Sequence, residues 1–191
     1  MAAKADDASR LLAKLLDPTV LRHNLVLASL FLAAYELLKH AVVGRILDFY
    51  TIGGTHDTPE TRAKYDREVL QLDRKNRLRA SARWLQKAGV VTPEDVVLVD
   101  SIRTHRNDVA HELSKYVMDP DHEVSTHQME EMRRLLRKIE VWWIKEVETP
   151  SDPQYDGVDV PKEEIVPGTV AFFDTILQVA MDVRGEGFRS Q

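Results

Sequence analysis

Apolar residues along this chain recur at steps of three and four, the period of an amphipathic helix. The clearest case is the series Val99, Ile102, Val109, Leu113 and Tyr116, which predicts a core-facing stripe on a helix over 93–117. From Leu25 to Tyr35 the pattern changes, and apolar residues fall nearly all round. Such a helix is normally buried on several sides. It is expected either at the centre of a bundle or at a dimer interface, and the pattern alone does not separate the two.

Start and stop signals set the other boundaries. Asp17-Pro18, Thr58-Pro59-Glu60 and Thr92-Pro93-Glu94 each place a capping residue before proline. Proline suits the first helical position because its missing N–H would have no partner there. Ser125 followed by Gln128 reads as a capping box. Gly53-Gly54, Gly89 and Asp119-Pro120 read as stops. The predicted helices cover 6–16, 18–50, 59–88 with a break near Asn76, 93–117 and 125–148. Residues 149–167 hold Pro150, Pro153, Gly157, Pro161 and Pro167 among many acids and read as a linker or strap. Val170 to Val183 fits a last amphipathic helix, docked on the body or on a partner. No strand series, phosphate-binding glycine loop or internal repeat stands out. The expected class is all-α: a helical domain over 1–148, then a proline- and acid-rich strap with a short helix over 149–191.

Composition narrows the function. At 191 residues, 43% hydrophobic and 30% charged, the chain has the balance of a globular domain. The net charge of -5 means that a polyanion site would have to be a local patch. The absence of cysteine excludes a disulfide scaffold, a thiolate metal site and a cysteine nucleophile, and fits a reducing compartment. The run from Leu25 to Tyr35 falls short of the roughly 20 residues of a membrane span, and Asp6 and Asp7 do not suit a signal peptide. A cytoplasmic location and no membrane association are expected. Nothing in the sequence implies a cofactor or a metal.

One position breaks the stripe at 93–117. Between Ile102 and Val109 the series asks for an apolar residue at 106, and the chain has arginine. A guanidinium keeps its charge, so an inward position needs a carboxylate or phosphate to meet it. Glu36, among Leu32, Leu37 and Leu38, is in a similar position. A Glu36–Arg106 pair across the core is the simplest solution, and it would fix helix register even without catalysis. The alternative is a helix break before 106 that leaves Arg106 at the surface. His111 follows five residues later, about 140° further round. Arg103, Asn107 and His111 form a polar ridge beside the stripe. These are the groups a phosphodiester site needs: arginine holds and stabilises phosphate oxygens, and histidine moves a proton near neutral pH. With 16 arginines and seven histidines, chance would place on the order of two such pairs at this spacing. Context, and not spacing, gives the pair its weight.

The segment Arg106-Asn107-Asp108-Val109-Ala110-His111 resembles the signature of the HEPN family: an arginine, four to six residues, then a histidine, usually with a polar residue after the arginine. Tyr35-Glu36-Leu37-Leu38 is similar to the acid-bearing N-terminal helix of that family. The resemblance spans roughly 17–148. It implies an antiparallel helical bundle of HEPN type acting as a homodimer. It also implies a metal-independent endoribonuclease of toxin or defence character, paired with an antitoxin or other defence partner protein. The RNA 2′-hydroxyl would attack the adjacent phosphate and leave a 2′,3′-cyclic phosphate. His111 would be the general acid or base, and Arg106 would hold and stabilise the phosphate or position the site through Glu36. Asn107 would orient the pair, with Glu36 and Arg103 supporting. The alternative within the family is a catalytically silent module for dimerisation, nucleotide binding or protein interaction. A tyrosine two residues after the histidine marks one regulated subgroup, and Leu113 stands there instead.

Two further features bear on RNA. Arg77, Arg79 and Arg83, with Arg74 and Lys75 before them, could track a backbone, and Trp84 could stack a base. The competing reading is a solvated face balanced by Asp73, with Glu130 and Glu131 balancing Arg133 and Arg134. Trp142-Trp143 is expected to place one indole in the core and the other at an interface.

Overall fold

The computed structural model describes residues 17–52, 58–119, 122–155 and 160–189. The predicted helix over 6–16 and the Gly53-Gly54 stop lie outside them. The described residues are helical with no strand, so the chain is all-α as expected.

The first helix, α1 (Pro18–Lys39), continues through a π-helical turn (His40–Gly44) into α2 (Arg45–Ile52). Then come α3 (Pro59–Glu68), a 3-10 turn (Leu70–Leu72), α4 (Arg77–Lys87), α5 (Pro93–His111) and α6 (Leu113–Met118). Helix α7 (Thr126–Trp143) runs through a second π-helical turn (Ile144–Glu148) into α8 (Thr149–Ser151). A short 3-10 turn (Pro153–Tyr155) precedes α9 (Gly168–Arg189).

The capping residues act where the sequence puts them. Asp17 accepts from the Thr19 N–H at 2.8 Å, and Thr58 and Thr61 form a reciprocal box. Asn76, at the expected break, caps α4 by accepting from the Arg79 N–H. Thr92 pairs reciprocally with Asp95. Ser125 caps α7 through the Gln128 N–H, but the Gln128 side chain turns away to Ser101, so the box is half made. Gly89 ends α4 at φ 75°, and the Val90 N–H reaches back to the Leu85 carbonyl. This is a Schellman closure, which favours glycine at its left-handed position.

Helix α1 sits at the centre, with α5, α6, α7 and α9 packed around it. One hydrophobic cluster takes in Phe31 and Leu38 of α1, Ile102 of α5, Leu135 of α7 and Phe173 of α9. Val170, Phe173, Ile176 and Ala180 of α9 are all buried, so the core continues across the boundary drawn at 148. Helix α9 is also longer than the short helix expected, and it is fixed to α7 by Arg133, whose Nη2 donates to Asp174 at 2.9 Å. This packing buries Leu27, Phe31, Ala34 and Leu38 of α1, while Leu25 stays 41% exposed and Leu30 and Leu32 are half-buried. By length and composition, residues 18–51 form a helix able to cross a membrane, and 44% of its apolar stretch is buried in the body. The expectation that the apolar run is too short therefore does not hold: the apolar character continues through Ala41, Val42 and Ile46.

Candidate functional site

On α5 the inward positions are Val99, Ile102 and Val109. The residue packed between Ile102 and Val109 is His105, not Arg106. Its ring meets Phe31 edge-on at 4.9 Å, and its Nε2 accepts the Ser125 N–H at 3.2 Å. An Nε2 that accepts leaves the proton of the neutral ring on Nδ1, where the Tyr116 hydroxyl lies 3.5 Å away. Burial lowers the His105 pKa, against a smaller opposing pull from Asp108. Both ring nitrogens thus help tie α5 to the start of α7 and to α6. Sequence reasoning gave the inward place between Ile102 and Val109 to residue 106. The signal it missed is that a step of three from Ile102 satisfies a helical stripe as well as a step of four.

Arg106 stands at the rim between α1 and α5. Its Nη2 lies 3.2 Å from Glu36 Oε1, with the two side chains 31% and 49% exposed. The pair exists, but at the surface rather than across the core. The helix runs unbroken to His111, so no break brings Arg106 outward; its position on the helix circumference does. Its guanidinium lies 5.3 Å from the Tyr35 ring centre, and its Nη1 reaches Asn107 Oδ1 at 3.4 Å. Lys39 pairs with the other oxygen of Glu36 at 2.9 Å. Arg103 lies 3.9 Å from Asp100. Burial raises the Tyr35 pKa, while Lys39, Arg106 and Arg103 draw it down. Three cations and an amide thus lie about two carboxylates, Glu36 and Asp100, and the Tyr35 phenol. The Nε atoms of Arg103 and Arg106 are enclosed without a hydrogen-bond partner.

His111 is the last residue of α5 and is exposed. No described side chain pairs with it. It lies about 140° round the helix from Arg106, so one chain does not bring the two together. At Glu112 the backbone leaves helical geometry (φ -117°, ψ 31°). That re-phases the chain and leaves Leu113, expected in the stripe, 38% exposed, while Tyr116 is buried as expected.

The second basic cluster is largely engaged within the chain. Arg77 Nε donates to Tyr65, Arg79 pairs with Asp100 at 2.6 Å, and Arg83 donates to the Leu72 carbonyl. Trp84 donates to the Tyr50 hydroxyl and stacks on Trp143. Trp143 is buried and Trp142 half-buried. Among the described residues no group of three or more His, Asp or Glu side chains could hold a metal ion.

No protein-family model, curated protein or solved structure matches the chain.

Proposed function

We propose that the chain is a metal-independent endoribonuclease of HEPN type, acting as a homodimer, with a toxin or defence role in the cytoplasm. The observation that carries this reading is His111: an exposed imidazole with no described partner, five residues beyond an arginine held by Glu36 and Asn107. In this mechanism His111 takes the proton of an RNA 2′-hydroxyl. The 2′-oxygen then bonds to phosphorus, and the bond to the 5′-oxygen breaks. His111 of a second copy returns a proton to that oxygen, and the product end is a 2′,3′-cyclic phosphate. Arg106 stabilises the non-bridging oxygens, Asn107 orients it, and Glu36 and Arg103 position the guanidinium. A second copy is required because His111 and Arg106 of one copy face different ways.

Incubation of the purified protein with RNA and a chelator tests this. Cleavage should persist with chelator and fall about 10²–10⁴-fold in His111→Ala. It should stop when the 2′-hydroxyl at the scissile position is removed. Undiminished cleavage by His111→Ala, or cleavage at a position that lacks the 2′-hydroxyl, rejects the mechanism.

A catalytically silent binding module is the second reading, and one observation favours it. Glu36, Asn107 and Tyr35 already occupy the Arg106 guanidinium within one copy. An RNA that stays intact with the wild-type protein, bound or not, decides for that reading.

A further inference from the structure

The two π-helical turns, His40–Gly44 and Ile144–Glu148, flank a cavity of about 360 Å³. Arg45, Asp48 and Phe49 follow the first turn. Trp143 precedes the second, and Val147 and Glu148 lie on it. All six line the cavity. Single π turns within helices occur frequently at functional sites. A Cβ on Gly44 would meet the exposed His40 ring at 2.8 Å, so a larger residue there would displace that ring.

The charges in and under this cavity do not balance. Arg45 is shared by Glu148, at 2.5 Å, and by Glu140, at 3.5 Å. Glu140 is only 5% exposed. Its burial raises its pKa; Arg45 and His40 oppose the rise, and Glu148 adds to it. Asp48 is exposed and pairs with no described side chain. Two carboxylates thus share one guanidinium, and Asp48 adds a further carboxylate to the cavity wall. The remaining walls are aromatic. Phe49 is 44% exposed, and its ring centre lies 5.7 Å from that of the buried Trp143. The Arg45 guanidinium sits 5.6 Å from the Trp143 ring centre, so these walls already hold one organic cation by its charge and by ring contact. The Trp143 indole N–H is enclosed without an acceptor.

We propose that this cavity binds a small organic cation with an apolar portion, of the arylalkylamine class. The ammonium would meet Asp48 and Glu148, and the apolar portion would lie on Phe49 and Val147. The volume falls within the range of small-molecule sites. An anion would meet the surplus carboxylates, and a neutral apolar molecule would leave them uncompensated. This inference is independent of the ribonuclease reading, because none of these residues belongs to the Arg106–His111 segment.

The test uses the full chain and a matched pair of probes, 2-phenylethylammonium and the uncharged 2-phenylethanol. Binding is followed by tryptophan fluorescence and calorimetry. The amine should bind saturably and about tenfold more tightly than the alcohol, the scale of two exposed ion pairs. Asp48→Asn, at an unpaired surface position, should weaken the amine about threefold or more and leave the alcohol unchanged. Phe49→Ala should weaken both, with circular dichroism showing the fold retained. Equal binding of the two probes, no saturable binding through the millimolar range, or an amine affinity indifferent to Asp48→Asn would each overturn the proposal.

Discussion

Replacing Asp95 with asparagine removes one charge and turns Oδ1, which accepts from Arg134, into a donor. Asp95 is 3% exposed. Its Oδ2 accepts the Thr92 N–H at 3.0 Å, a bond that an asparagine oxygen can keep. Lys138 donates to it at 2.5 Å and Arg134 at 2.8 Å, both from α7. Burial on its own would raise its pKa. The Lys138 contact, the Thr92 N–H and Arg134 more than reverse that, and the carboxyl falls from 3.8 to about 2. A depression of that size corresponds to roughly 2–3 kcal/mol of stability at pH 7. Because the folded-state pKa is the lower one, the stabilisation is fully present above the unfolded value near 4. It is lost as pH falls towards 2, and about half of it should remain near pH 3. Urea unfolding of wild type and Asp95→Asn, read by far-ultraviolet circular dichroism at pH 7, 5, 4 and 3, measures this directly. The gap between the two proteins should be about 2–3 kcal/mol at pH 7 and 5, and should narrow below pH 4. A gap under about 1 kcal/mol at pH 7, or one that does not change with pH, would refute the assignment of α5–α7 attachment to this carboxylate.

Other expectations come from the same contacts. Glu36→Gln should cost only about 0.2–1 kcal/mol of stability, since the pair with Arg106 is substantially exposed; a loss above that range would put the guanidinium deeper than described. Phe173→Ala, at a fully buried α9 position, should cost about 3–5 kcal/mol by thermal or denaturant unfolding; a negligible loss would mean that α9 is not part of the core. The lowered pKa of His105 gives the opposite pH dependence from a paired histidine. Stability is complete above about 6.5 and declines as pH falls below it, because the unfolded chain takes up the proton more readily. His105→Leu should therefore flatten the slope of unfolding free energy between pH 7 and 5, and an unchanged slope would show that His105 is not the group responsible.

Local chemistry made the helix starts legible. An oxygen-bearing side chain before proline has few other uses, and Asp17, Thr58 and Thr92 all cap. Side-chain direction was less legible. Between Ile102 and Val109 a helix of 3.6 residues per turn admits an inward residue at either 105 or 106. The pattern cannot choose, and the long Arg106 side chain reaches Glu36 from the rim. The pairing was thus readable as a charge needing a partner, but its depth was not. Leu113 fits the periodicity, which does not reveal the change of backbone geometry at Glu112. Nor could periodicity say which element covers α1, because an apolar face is indifferent to whether its cover comes from the same chain. The cavity beside Trp143 depends on two π turns, which carry no sequence signal comparable to a cap.

The seating of α9 against α1 also sets an order of events during synthesis. Helix α1 emerges from the ribosome before the other described helices, and α9, which covers one of its apolar flanks, emerges after them. Until then the apolar face that α9 covers on α1, part of a helix over 18–51 that is by length and composition apolar enough for a bilayer, lacks that cover. The closing contact joins segments at opposite ends of the described chain, which costs loop entropy and slows folding. The nascent protein therefore has a defined interval in which a chaperone, a lipid surface or another nascent copy competes with α9 for one face. The outcome of that competition bears on how much native protein a cell obtains.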